Sequence, residues 1–165
     1  MATDDLTAQR LRELLDYDPA TGDFRWLGRR RGAPKNRPPG CINGEGYRCI
    51  TVDGVLHGAH RLAWLHVCGS PPSGVIDHIN GIKTDNRIEN LRDVSETTNR
   101  QNQRKASARS KSGLLGVVWD ANRERWKALL YVGKIPQWIG RFDTPEEAHA
   151  AYLEAKRRLH AGCTI

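Results

Sequence analysis

The stretch from Val75 to Lys105 constrains the fold more than any other part of the chain. Val75-Ile76-Asp77-His78-Ile79 is short and β-branched, so it reads as a strand, and Asn80-Gly81 turns it. A polar loop over Asp85 to Asn90 follows, and Leu91-Arg92-Asp93-Val94 returns as a second strand. Ser95 or Asp93 then caps a helix running from about Glu96 to Lys105. Strand, loop, strand and helix therefore follow one another with no spare residues between them.

The flanking segments predict further small elements. Leu6, Leu11, Leu14 and Leu15 make Leu6 to Leu15 a short amphipathic helix. Asp18 to Asp23 reads as a turn, Phe24 to Leu27 as a strand, and Gly28 to Gly40 as a basic loop rich in Pro and Gly. Tyr47 to Val52 and the return from Val55 form a hairpin closed by Asp53-Gly54. His60 to Val67 reads as a buried helix stopped by Cys68-Gly69-Ser70-Pro71-Pro72. Beyond a basic, Ser-containing linker, Gly116 to Trp119, Arg125 to Val132 and Gln137 to Phe142 read as three strands. Thr144-Pro145-Glu146-Glu147 opens a last helix, with Thr at the cap, Pro first and Glu third. Its stripe Ala148, Ala151, Tyr152, Ala155 and Leu159 is set to lie on that sheet.

At 165 residues the chain has length for one ordinary domain or two small ones. The formal charge of +7 favours a polyanionic partner, and its distribution strengthens the case. Arg25, Arg29, Arg30, Arg31, Lys35 and Arg37 occur in one stretch without an acid. Arg100, Arg104, Lys105, Arg109 and Lys111 form another. Each can neutralise several phosphates or serve simply as a solvated loop. Cys41, Cys49, Cys68 and Cys163 form no C-x-x-C pair, so no structural zinc is expected. His57, His60 and His66 are irregularly spaced and read as packing or hydrogen-bonding residues. No apolar targeting run follows Met1 and no stretch has the length to span a bilayer, so no membrane association is expected. A reducing cytoplasm with free thiols is the expected location.

Asp77 and His78 carry the chemistry. A phosphodiester repels nucleophiles and has a poor leaving alkoxide, and a divalent cation answers both problems. Asp77 and Asn99 offer the oxygen donors that magnesium or manganese prefers, and His78 can take a proton from water. Strand alternation sends Asp77 and His78 to opposite faces unless the strand ends or twists there. Asp85 and Asn86 read as loop formers, and Asn102 lies one turn beyond Asn99.

Residues 47 to 104 resemble an HNH homing-type endonuclease of the kind found in phage genomes. The matching segments are His60-Arg61-Leu62-Ala63-Trp64, Asp77-His78-Ile79-Asn80-Gly81, Asp85-Asn86-Arg87, Glu89-Asn90-Leu91-Arg92 and Asn99-Arg100-Gln101-Asn102. The resemblance implies a ββα-metal (His-Me finger) domain with His78 as general base. Asn90 is then the middle asparagine that holds the loop and orients the histidine, and Asp77 and Asn99 are the metal ligands. His60 and Arg61 either contact phosphate or belong to a helix packed under the site.

Residues 113 to 162 are similar to the apetala-two (ethylene-responsive-factor) DNA-binding domain. The carrying residues are Gly116-Val117, Arg125-Trp126-Lys127-Ala128, Trp138 to Thr144, Glu146-Glu147-Ala148 and Ala151-Tyr152. Val118 stands where that family has its first arginine after Gly-Val, so no sequence preference carries over. Trp119, Arg123, Arg125, Lys127, Trp138 and Arg141 are its candidate DNA contacts.

The expectation is an α+β chain. Residues 1–40 supply a helix and basic loop, 41–105 the nuclease, 106–112 a linker, and 113–165 a small three-stranded antiparallel sheet packed on one helix. It would nick double-stranded DNA with magnesium or manganese, as a monomer with a dimer as the alternative, in a bacterial or phage setting. Arg29, Arg30, Arg31, Arg61, Arg87, Arg100, Arg104 and Lys105 complete the expected DNA contacts. The rival reading is a non-catalytic, sequence-specific DNA-binding regulator on a degenerate nuclease fold. An RNA-directed role is weaker, since no stacking-aromatic RNA motif occurs.

Overall fold

The computed structural model describes residues 6–28, 38–160 and 162–164. The chain divides into two compact units, Met1–Val94 and Ser95–Ile165.

The first unit begins with α1 (Ala8–Leu14), capped by Thr7, whose side chain accepts from the Arg10 amide at 3.1 Å. Leu15 leaves the helix in extended geometry and starts β1 (Leu15–Asp18), paired antiparallel with β2 (Asp23–Trp26). Continuous leucine spacing places Leu15 in the expected helix. Pairing with Trp26 and burial of Leu15 and Tyr17 on one strand face override that local signal. Next come β3 (Cys41–Ile42), β4 (Arg48–Val52) and β5 (Val55–Gly58), a three-stranded antiparallel sheet in that order. Asp53 and Gly54 both have positive φ, at 46° and 86°, as the tight turn of this hairpin requires. α2 (Ala59–Cys68) follows, then β6 (Val75–His78), a single 3-10 turn at Ile88–Asn90, and β7 (Leu91–Val94) antiparallel to β6.

One apolar cluster unites these pieces. Leu11, Leu15, Tyr17, Phe24, Ile50, Val52, Leu62, Ile76 and Leu91 are all buried together. Leu11, Leu15, Tyr17 and Phe24 thus build α1, β1 and β2 into the core that carries β6. Arg29, Arg30 and Arg31 lie outside the described residues.

The second unit opens with α3 (Glu96–Gln101), capped by Ser95, whose Oγ accepts from the Thr98 amide at 3.2 Å. The helix is shorter than the expected span to Lys105, because Asn102 closes it and is itself buried. β8 (Val117–Asp120), β9 (Arg125–Val132) and β10 (Ile135–Phe142) form an antiparallel sheet in the order β10-β9-β8. α4 (Pro145–Leu159) has a complete capping box between Thr144 and Glu147. Its Ala148, Tyr152 and Ala155 bury against Val117, Ala128 and Leu130. Trp126 packs on this same core. Among the described residues no helix is long and apolar enough to cross a membrane.

Candidate functional site

The β6–β7 hairpin positions the first group of candidate residues. Register pairs Asp77 with Arg92 and His78 with Leu91, and Asp77, His78 and Asn90 are all buried. β6 ends at His78, and the Gly81 amide donates to the His78 carbonyl at 2.8 Å to close the turn.

Asn90 clamps the loop that follows. Its Nδ2 donates to the Asp85 carbonyl at 2.8 Å, and its Oδ1 accepts from the Asn80 amide at 2.9 Å. The Ile79 amide also donates to the Asn90 carbonyl at 2.8 Å. Asp85 adds a second clamp: it accepts Asn80 Nδ2 at 2.7 Å and a bidentate Arg87 guanidinium at 2.8 Å on each oxygen. That guanidinium holds the Asp85 carboxyl down to about 2, so the clamp stays charged at any physiological pH. Arg87 also donates to Glu89 at 2.8 Å, so the carboxylates of Asp85 and Glu89 that it binds both lie within its own loop.

His78 is oriented by Asn86, only 2 % exposed, whose Oδ1 lies 3.2 Å from His78 Nε2. Asn86 Nδ2 donates to the Thr84 carbonyl at 3.4 Å, which fixes which end of the amide faces the ring. An amide oxygen only accepts, so the neutral imidazole carries its proton on Nε2 and its basic lone pair on Nδ1. Tyr17 reaches from β1 to donate its hydroxyl to the Asn86 carbonyl at 2.8 Å. Burial pushes His78 below the ordinary histidine range, opposed by the Asn86 bond and by the charges of Asp77 and Asp85. A neutral imidazole at neutral pH is the result.

Two more rings complete the surroundings. His60, near the start of α2, stands edge-on to His78 with centroids 5.4 Å apart, and Tyr47 lies 5.1 Å from His60 and 5.9 Å from His78. Burial, aided by His78, drives His60 down to about 4, so it packs as a neutral ring. Of the two roles open to His60 from sequence, this geometry supplies the packed one. Lys83 Nζ sits 4.5 Å over the Tyr47 ring and brings a cation to the same loop.

Asp77 Oδ2 accepts Arg92 Nε at 2.8 Å and Nη2 at 2.7 Å. Among the described residues no group of three or more His, Cys, Asp or Glu side chains stands ready to cage a metal. The donor chemistry still suits magnesium, which keeps several waters and needs only one or two protein carboxylates beside a substrate phosphate. Asn99 lies exposed on α3, within the second unit. Asn102, one turn on, is instead buried and accepts a hydrogen bond from Thr164, which gives it a structural task.

The expected DNA-contacting cations differ in their surroundings. Arg61 is exposed on α2, and Lys105 and Arg123 are exposed in the second unit. Arg100 pairs with Glu96 at 3.3 Å, and Arg104 donates to Thr164. On the sheet face away from α4, Lys127 and Arg141 both pair with buried Asp120 at 3.1 Å, and Arg125 with Asp143 at 3.0 Å. Arg141 also lies 4.6 Å over the Trp138 ring, and Trp119 packs edge-on against Trp126 at 4.9 Å.

Asn86, Tyr47 and Tyr17 gain roles that the sequence did not assign. Asn86 is one of several asparagines in a polar loop, and nothing in its spacing marks it as the partner of His78. Tyr17 and Tyr47 reach the site only through the tertiary fold.

No match was found among curated proteins or among solved structures. Residues 57–104 match the HNH endonuclease family model, a span that contains His60, Asp77, His78, Asn86, Asn90 and Asn99 and supports an HNH nuclease there.

Proposed function

We propose that this chain is a metal-dependent, homing-type HNH endonuclease that nicks double-stranded DNA, and that its second unit is an apetala-two-like DNA-binding module. The observation that carries the reading is His78: a buried, neutral imidazole held by Asn86 in the tautomer that leaves Nδ1 basic, inside the segment that matches the family model.

His78 Nδ1 would accept the proton of the attacking water. Asn90 and the Asp85–Arg87 clamp hold the loop so that Asn86 stays aligned with the His78 ring. Asp77 and Asn99 would hold a magnesium or manganese ion, which when bound neutralises the phosphate and stabilises the leaving oxygen. Arg92 holds Asp77 in place through two hydrogen bonds to its Oδ2. A single such site per chain acts on one strand, so one protomer nicks.

For the second unit, the supporting features are the sheet face with Lys127, Arg141 and Trp138 and the helix packed behind it. Duplex DNA is the partner that fits a basic sheet face joined to a phosphodiester-cleaving site. The test is conversion of supercoiled plasmid carrying the natural target to open circle. The reading expects conversion with magnesium and none with EDTA. Conversion that is indifferent to the chelator would contradict the metal-dependent part.

A further inference from the structure

The second unit contains a cavity of about 1020 Å³ that its apolar core does not fill and the sheet-face reading does not use. Its wall combines α3 and the segment that follows with the β8 and β9 side of the sheet. The volume is at the upper end for pockets that enclose one small ligand, and far too small for a duplex.

The wall is basic. Arg100, Arg109, Lys111 and Lys134 all line it. Arg109, Lys111 and Lys134 are exposed and enter no ion pair among the described residues, unlike Arg125, Lys127 and Arg141 on the sheet face. Trp119 and Tyr131 line the same space, and Tyr131 is 58 % exposed. Uncompensated cations beside open aromatic rings match the chemistry of a phosphate backbone whose bases are available for stacking. An independent sign lies in His160, which also lines the cavity and is 8 % exposed. Its Nε2 is 2.9 Å from the Tyr131 carbonyl, so its Nδ1 is the acceptor, and that atom is buried with no hydrogen-bond partner among the described residues.

We propose that this cavity binds a single, unpaired strand of DNA, with its phosphates against Arg109, Lys111, Lys134 and Arg100 and a base stacked on Tyr131 or Trp119. A duplex keeps its bases stacked on each other and offers these rings nothing. Arg100 directly follows Asn99 on α3, so a strand held in the cavity lies along the helix that bears the proposed metal ligand. This rests on the DNA-nuclease reading and adds an opened strand, distinct from the duplex, as the second unit's ligand.

The experiment is fluorescence anisotropy of the full chain in EDTA, over a salt series. Its probes are labelled oligothymidine of about twenty nucleotides and a duplex of equal length. The Arg109→Ala/Lys111→Ala/Lys134→Ala variant is expected to bind the single strand about tenfold more weakly. Its slope of log affinity against log salt should be shallower by about 2, three lost phosphate contacts at roughly 0.7 each. Duplex affinity should fall by about threefold or less. Tyr131→Ala should weaken the single strand with the salt slope unchanged, since stacking releases no counterions. Circular dichroism melting checks that both variants are folded.

An unchanged single-strand affinity in the folded triple variant overturns the proposal. So does polyglutamate competing as well as unlabelled oligothymidine, which would reduce the site to a general polyanion surface. Binding in EDTA requires no cleavage, so the two readings fail separately. Metal-dependent nicking without cavity binding sinks only the cavity, and cavity binding without nicking sinks only the nuclease.

Discussion

Replacing Asn86 with alanine tests the proposed role of His78 as the base. The change removes the 3.2 Å contact with His78 Nε2 and the 3.4 Å bond to the Thr84 carbonyl, while the backbone carbonyl that accepts from Tyr17 survives. An imidazole N–H left buried without its acceptor costs about 1–3 kcal/mol, and the ring then regains freedom to adopt the other tautomer. General-base catalysis is worth about 10²–10⁴ in rate, and misorientation forfeits part of that. The expected result is a nicking rate about 10- to 100-fold lower, with a folded protein of modestly reduced melting temperature. Asn86→Asp gives the sharper test because the ring keeps an acceptor. A carboxylate there favours the imidazolium and raises the His78 pKa, so the base is neutral only at higher pH. The acid limb of the rate–pH profile should move upward, with activity recovering toward alkaline pH. Plasmid nicking across a pH series, alongside thermal unfolding, reads both effects. A stable Asn86→Ala protein that nicks at the wild-type rate would refute the claim that Asn86 sets the tautomer.

Other outcomes follow from the same geometry. His60 falls from 6.5 to about 4 on folding, so the unfolded chain binds the extra proton first. Its contribution to stability is therefore complete above about pH 6.5 and lost as pH falls toward 4, by up to about 3 kcal/mol; denaturant titrations of wild type and His60→Gln should show this slope flattened in the variant. Gly116 has φ of +76°, and an added Cβ would stand 2.0 Å from the Tyr152 ring. Gly116→Ala should cost the second unit about 2–4 kcal/mol, and a melting curve unchanged from wild type would contradict the packing described for α4. Asp120 neutralises both Lys127 and Arg141, so Asp120→Asn should strengthen duplex binding at low salt by roughly three- to tenfold if the sheet face meets DNA. Weaker binding by a folded Asp120→Asn protein would argue against that face.

Elements with a strong local signal are legible in the sequence. The hairpin at Asp53-Gly54, the β6–β7 pair and the capped α4 depend on turn chemistry, β-branching and a capping box, all of which act within a few residues. β1 was hidden because Leu14 and Leu15 extend the helical spacing, and only the partner strand at Trp26 decides against it. α3 stops early because Asn102 is drawn into a hydrogen bond with Thr164, far along the chain. The same division holds at the site. Asp77, His78, Asn90 and Asn99 stand in a recognisable order. The residues that tune His78 are different: Asn86, His60 and Tyr47 acquire their roles from burial and ring contacts that no spacing encodes. The pairing of Lys127 and Arg141 with Asp120 was equally invisible, since counting charges along the sequence cannot say which are already neutralised.

The most direct test of the account is plasmid nicking by His78→Ala in magnesium, on DNA carrying the natural target, with and without added imidazole. The account predicts a rate lowered by about 10²–10⁴ with the fold intact, and partial recovery when free imidazole supplies the missing base. A folded His78→Ala protein that nicks as fast as the wild type would contradict it.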